Sequence, residues 1–401
     1  MTPSSVLAGL RVVEYGNNIS AAFCAKLLGD LGAEVIKVER PQGDESRQRG
    51  SFPNGSADSE KSALFLYLNT NKRGVTLNIE NARGRELFLH LLERADVLVE
   101  NYAPADMQHV GLTYKDLQET SSSLVVTSIT PFGQSGPYRD YRARSIQISA
   151  MAGVSVMNGQ PDREPLAPPY DLMEYAGGLY GCVATCFALL ERDFSGLGQH
   201  VDVSMTDCCA AMHTGLYVWE GLTGKRRPSR SGRGEIFPNG LWPCKDGYVS
   251  MIAPQVAQWI RFVKVMGDPE WTKQSRYRDR RAMAKEYPAE VDALLAPWFM
   301  AHTKDEIFAM CREAHMPVAP VRTIDEVMRD EHLKHRGFFS TMHREDFGSI
   351  TVPGSPYRFS ESSYSERRPP PRLGEHTEEV LSGDLGLSKD DLQDLRRSGI
   401  I

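Results

Sequence analysis

The sequence predicts an α/β protein: a Rossmann-like parallel sheet in a large domain, plus a smaller α+β domain. Three observations carry this. Short β-branched runs alternate with amphipathic helical patterns over the first 130 residues. A basic, Gly- and Pro-rich stretch, "GKRRPSRSGRGEIFPNG", then interrupts the chain at 224–240. A charged, mostly helical segment follows it to about 330.

The elements follow in order. "LRVVEYG" is a first strand, and the helical pattern Ala21 to Leu31 follows it. "AEVIKVER" is the second strand and "GVTLNI" the third; the amphipathic "ARGRELFLHLLERA" leads to the strand "DVLVENY". "LVVTSITPFG" is the next strand, and Ala143 to Leu190 reads as helical and apolar. "HVDVSMTDCCAAMHTGLY" gives a strand running into a helix, and "LWPCKDGYVSMIA" a hairpin around Asp246-Gly247. Strand–helix alternation of this kind winds into a parallel sheet covered by helices. The expected division is residues 1–222 for the large domain, 223–330 for linker and small domain, and 331–401 for a C-terminal segment returning to the large domain.

Composition narrows the function. Hydrophobic residues at 41% and charged residues at 24% suit a soluble globular protein, and a net charge of −6 without a basic tail points away from nucleic acid. Seven irregularly spaced cysteines read as reduced thiols, and Cys182 with Cys186 lacks the further ligands a metal site needs. No metal is expected. The N-terminus lacks a secretion pattern, and the apolar run "AGGLYGCVATCFALL" falls short of the ~20 residues a bilayer needs. The expectation is a cytoplasmic protein with no membrane partner. After the first strand, "YGNNISAAFCAKLLGDLG" carries no G-x-G-x-x-G, and Arg40 directly follows the acid Glu39, so a dinucleotide enzyme is not the natural reading.

Residues 168–181, "PPYDLMEYAGGLYG", set two acids, Asp171 and Glu174, before a Gly pair and an apolar run. Acids at a helix start are favoured by the helix dipole, so capping alone accounts for them. A carboxylate among small residues is also a candidate nucleophile. The residues by themselves leave both readings open.

Seven blocks in order resemble the family III CoA-transferases, the group that includes formyl-CoA and carnitine-CoA transferases (CaiB/BaiF) and the α-methylacyl-CoA racemases: "LAGLRVVEYG", "LLGDLGAEVIKVERPQGDESR", "LNTNKRGVTLNI", "ADVLVENYAP", "VGLTYKDL", "TPFGQSGPY" and "ALLERDFSGLGQHVDVSMTD". The resemblance implies a homodimer whose two chains interlock like linked rings. It also implies transfer of CoA from an acyl-CoA to a small carboxylic acid through an enzyme acyl anhydride and an enzyme-CoA thioester. Coenzyme A then arrives as substrate, with no permanently bound cofactor.

Counting back from Gln199 without gaps puts the family's catalytic Asp position at Glu174, with Asp171 three residues early. The chain thus departs from the family by a glutamate, whose extra methylene moves the carboxylate by roughly 1–1.5 Å. Asp171 stays as the alternative. The resemblance implies CoA contacts at Arg40, Lys72 and Arg73, and Asn101 and Tyr102 join them just beyond a strand end, where wound sheets bind ligands. One of Arg142 and Arg144, on the segment leading into the active-site helix, is a contact for CoA phosphates or the substrate acid, with a surface role as the alternative. The resemblance also implies a mobile loop at Gly232 and Gly234. Tyr15, Met205 and Trp242 are pocket-lining candidates. The racemase branch needs a His general base, yet "RARSIQISAMAG" holds Arg144 in its place. An intramolecular transferase would use the same nucleophile, and a CoA-thioester-binding protein without turnover is the reading of another class.

Overall fold

The computed structural model describes residues 5–55, 57–225, 234–362 and 368–401. The chain forms two compact units: Met1–Ser155, Ala167–Lys225 and Gly337–Ile401 in the larger, Val156–Leu166 and Arg226–Arg336 in the smaller.

The larger unit is built on six parallel strands, β1 (Arg11–Tyr15), β2 (Glu34–Glu39), β3 (Lys72–Thr76), β4 (Val97–Glu100), β5 (Val125–Thr130) and β6 (His200–Ser204), in the order 3-2-1-4-5-6. The residues of β1, β2, β4 and β5 are almost all buried because helices cover both faces, which is why these strands are rich in Val, Ile and Leu. The winding reverses between β1 and β4, where Tyr15 pairs with Glu100. A sheet of this kind opens a crevice beyond the carboxyl ends of those two strands. The loops that leave them, Gly16–Asn18 and Asn101–Tyr102, therefore frame it.

The third strand begins earlier than the sequence pattern suggests. It ends at Thr76 because the chain then turns, with the Asn78 N–H bonding the Ile400 carbonyl and Asn81 capping the next helix. The apolar stretch 143–190 is likewise not one helix. A short helix, Ser145–Met151, is followed by irregular chain with Pro165, Pro168 and Pro169, which lack the donors a helix needs. A long helix, Leu172–Ser195, comes after.

At 24 residues that long helix would cross a membrane by length and composition alone, and it exceeds the apolar length read from the sequence. One face nevertheless packs as a core helix. A Cβ on Gly177 would lie 2.5 Å from Met205 Cγ, on Gly178 2.7 Å from the Ser20 carbonyl oxygen, and on Gly181 2.6 Å from Ile129 Cδ1. These glycines let it lie directly on α1 (Ser20–Asp30) and β5.

The smaller unit holds an antiparallel sheet of β7 (Asn239–Cys244), β8 (Gly247–Ile252) and β9 (Val318–Pro320), covered by helices around an aromatic core of Phe237, Trp242, Trp259, Phe262 and Phe299. The hairpin turns at Asp246-Gly247, as its sequence predicts. A further hairpin, β10 (Phe339–Arg344) with β11 (Gly348–Pro353), belongs to the larger unit.

Candidate active site

Beyond β1 and β4 lies a cleft of about 550 Å³, with Asn17, Asn18, Arg40, Asn101, Tyr102 and Arg144 on its walls and Glu174 and Met205 among its lining residues. Its floor is held by buried ions. Lys37 Nζ bonds Glu14 at 2.8 Å and Asp44 at 2.7 Å, and Lys72 Nζ reaches the other Glu14 oxygen at 2.7 Å. Asp44 in turn accepts the Asn18 N–H at 3.0 Å. Arg47 grips Glu39 through two nitrogens at 2.7 and 2.8 Å. The loop after β2 is thereby fastened to the loop after β1, and buried pairs of this kind fix position more than they add stability. Burial pushes the Glu14 carboxyl up, but the two ammonium groups beside it more than reverse this and hold it below its ordinary value.

Asn101 makes the second tie. Its amide donates to the Asn17 carbonyl at 2.7 Å and to Ser20 Oγ at 3.0 Å, while its Oδ1 accepts the Asn17 N–H at 2.8 Å. The Tyr102 ring lies 4.6 Å from that of Tyr15, with the Arg40 guanidinium over it at 5.5 Å. Arg40 is half exposed and only 3.4 Å from Glu80. It is thus placed on the cleft wall with a planar cation facing outward, the arrangement that suits a phosphate or an adenine ring.

The two acids of 168–181 have separate environments. Asp171 is the N-cap of the long helix, yet its carboxylate makes no capping bond; it pairs with Arg49 at 2.9 Å. Glu174, in the first turn, is 4% exposed and lines the cleft. The Ser145 backbone N–H favours its charged form, while Oε1 is buried with no hydrogen-bond partner among the described residues. Burial, then the nearby Asp171 charge, pushes its carboxyl up to about 7, against the pull of Arg144, Arg49 and the Ser145 N–H. Helix capping therefore does not account for either side chain. An unpaired, desolvated oxygen facing a cleft is the arrangement expected of a nucleophile rather than of a structural acid.

A family model, CoA-transferase family III, matches residues 7–377. The chain belongs to CoA-transferase family III.

Among relatives of this transferase is the succinyl-CoA–L-malate CoA-transferase beta subunit of Chloroflexus aurantiacus, 32% identical, with 100% of this chain and 99% of that protein covered. The succinyl-CoA:glutarate CoA-transferase of Mus musculus is 31% identical, over 98% of this chain and 90% of its own. A crystal structure of a CAIB/BAIF family protein from Brucella suis superposes with a TM-score of 0.86 at 29% identity, covering 95% of this chain and 99% of that one.

Of the residues singled out from the transferase sequence, Glu174, Arg40, Asn101, Tyr102 and Arg144 share the cleft with Arg142. Asp171 stands beside it, bound to Arg49. Lys72 does not reach it: its ammonium is wholly buried, bonded also to the Ala22 carbonyl at 2.7 Å and Asn69 Oδ1 at 2.9 Å, because strand alternation turns it into the sheet's helix layer. Arg73 lies on edge strand β3 and is engaged by Glu34, by Glu379 at 3.2 Å and by Asp384 at 3.4 Å, away from the cleft. Gly234 belongs to the smaller unit, where its N–H bonds the Asn239 carbonyl at 3.4 Å; Gly232 lies outside the described residues. Trp242 is core there, whereas Met205 lines the cleft and Tyr15 supports it from beneath.

Three contributors were not singled out from the sequence: Arg49, Ser145 and Glu45. A signal for the first and last was present. The Gly-bounded "GDESRQRG" after β2 concentrates charge where wound sheets bind ligands. Asn18, with φ of 67°, marks the strained turn that faces it. Ser145 contributes its hydroxyl, which accepts the Met173 N–H at 3.1 Å at the start of the long helix, a pairing across 28 residues that no local pattern encodes.

Proposed function

We propose that this transferase moves CoA from a dicarboxylic acyl-CoA, succinyl-CoA first, to a second small dicarboxylate, with Glu174 as nucleophile. The ionised Glu174 carboxylate attacks the thioester carbonyl; the C–S bond breaks and CoA leaves as thiolate, giving a mixed anhydride. The thiolate attacks the glutamyl carbonyl, releases the donor acid and leaves a glutamyl-CoA thioester. The acceptor carboxylate attacks that carbonyl and expels the thiolate, which then takes the acceptor acyl carbon and frees Glu174. One activated acyl group exists throughout, so no outside energy source enters, and water must stay out.

The carrying observation is the buried, unpartnered Glu174 oxygen on the cleft. Arg40 and Tyr102 offer the surface for the nucleotide end of CoA. The names of the relatives, which pair succinyl-CoA with malate or glutarate, support the dicarboxylate class. A homodimer also fits, since the long helix exposes Leu179, Val183, Phe187, Leu190 and Phe194 along one outer stripe.

The test is CoA exchange between succinyl-CoA and labelled succinate, glutarate or malate. Glu174→Gln should abolish exchange while CoA still binds. Glu174→Asp should retain roughly a hundredth of the rate, since an ångström-scale misplacement costs about that much. Full exchange in Glu174→Gln would refute the assignment.

A further inference from the structure

We propose that Arg144 binds the remote carboxylate of the dicarboxylic acyl group, and that Glu45 holds the guanidinium in place until the substrate displaces it. This rests on Glu174 being the nucleophile and on dicarboxylic substrates.

Position comes first. Arg144 lines the same cleft as Glu174 and directly precedes Ser145, whose hydroxyl accepts the N–H of Met173, the neighbour of Glu174, at 3.1 Å. Consecutive Cα atoms are about 3.8 Å apart, so the Arg144 side chain starts within one residue of a group bonded to the helix turn that carries Glu174. In a succinyl thioester the remote carboxylate is three C–C bonds from the attacked carbonyl, about 4 Å when extended. One arginine side chain spans that offset.

The guanidinium is also available. Arg144 is about half exposed on the cleft wall, and its Nη2 lies 2.5 Å from Glu45 Oε2, which also accepts the Asn18 amide at 2.9 Å. A guanidinium and a side-chain amide converging on one carboxylate oxygen are the donors a bound carboxylate needs. Glu45 is itself about half exposed, so the pair is held weakly and exchanges readily. Neither neighbouring cation offers this. Arg49 is committed to Asp171 and Asn18, and Arg142 projects outward, 86% exposed and 3.7 Å from Asp106.

The experiment measures KM for succinyl-CoA and the inhibition constant of butyryl-CoA, which has the same chain length but no remote carboxylate. In Arg144→Met, kcat/KM for succinyl-CoA should fall about 10- to 100-fold, the range for losing a charged hydrogen bond. The butyryl-CoA constant should stay within about threefold, and Arg144→Lys should recover part of the loss. Glu45→Gln should lower KM for succinyl-CoA alone, because a competing anion is gone. Equal weakening of both thioesters, or weaker binding of free CoA, would assign Arg144 to the CoA phosphates and overturn the proposal. Glu174→Gln, run alongside, separates the two readings. Surviving exchange there refutes the nucleophile, whereas abolished exchange with an unselective Arg144→Met refutes only this assignment.

Discussion

Glu174 is an acid whose surroundings disfavour its ionised form. Burial and the Asp171 charge raise its carboxyl to about 7, so the ionised carboxylate, the proposed nucleophile, accumulates only as pH rises through neutrality. The kcat/KM for succinyl-CoA should rise with pH and level off above about 8; a profile flat from pH 5 to 9 would contradict this. Stability runs the other way. The folded state holds this proton more tightly than the unfolded chain, so its contribution is present at low pH and is lost as pH rises from about 4.5 to 7. One pKa unit is worth about 1.4 kcal/mol, so the charged carboxylate costs the fold on the order of 3 kcal/mol at pH 8. Glu174→Gln should therefore raise the melting temperature at pH 8 and change it little at pH 4.5. Lys72 repeats this on the cation side: burial pulls its ammonium down to about 8, even with the Glu14 charge beside it. Lys72→Met takes the cation from one Glu14 oxygen while Lys37 still holds the other, and should cost about 1–3 kcal/mol in denaturant unfolding. CoA affinity of the folded fraction should stay intact. The acids at 171 and 174 were legible in sequence because they sit at a helix start among glycines. The fate of Lys72 was not, since "NKRG" reads the same whether its lysine points to solvent or beneath a sheet.

At the scale of elements, the site depends on how closely the long helix approaches α1. Gly178 permits the contact: an added Cβ would lie 2.7 Å from the Ser20 carbonyl oxygen, and backbone does not yield as a side-chain tip does. Ser20 follows Asn17 and Asn18 on the cleft wall and is bonded to Asn101. Gly178→Ala should push the helix and its Glu174 away from the β1 loop. A loss of about 1–3 kcal/mol in stability is expected, with a fall in kcat larger than any change in CoA binding. Unchanged kcat would show that the cleft does not depend on this contact. The parallel sheet was readable from alternating β-branched and amphipathic runs. The break between 151 and 172 was obscured by apolar residues on both sides of its prolines, a pattern in which local composition and backbone hydrogen bonding disagree.

At the scale of the whole molecule, one surface suits the proposed dimer. The stripe on the long helix includes Phe187 at 67% and Phe194 at 84% exposure, which a lone soluble chain rarely leaves to water. In light scattering, Phe187→Asp with Phe194→Asp should convert a dimer into monomer or aggregate; an unchanged dimer would place the interface elsewhere. Family membership was legible because its motifs recur in order along the chain, whereas assembly depends on surfaces that no short motif encodes. The central claim, that Glu174 carries the acyl group, is tested most directly by mass spectrometry of the whole protein after brief incubation with succinyl-CoA, followed by peptide mapping. The expected result is a hydroxylamine-sensitive acyl or CoA adduct on Glu174, absent from Glu174→Gln. An adduct on Asp171 instead, or turnover with no adduct on either acid, would contradict it.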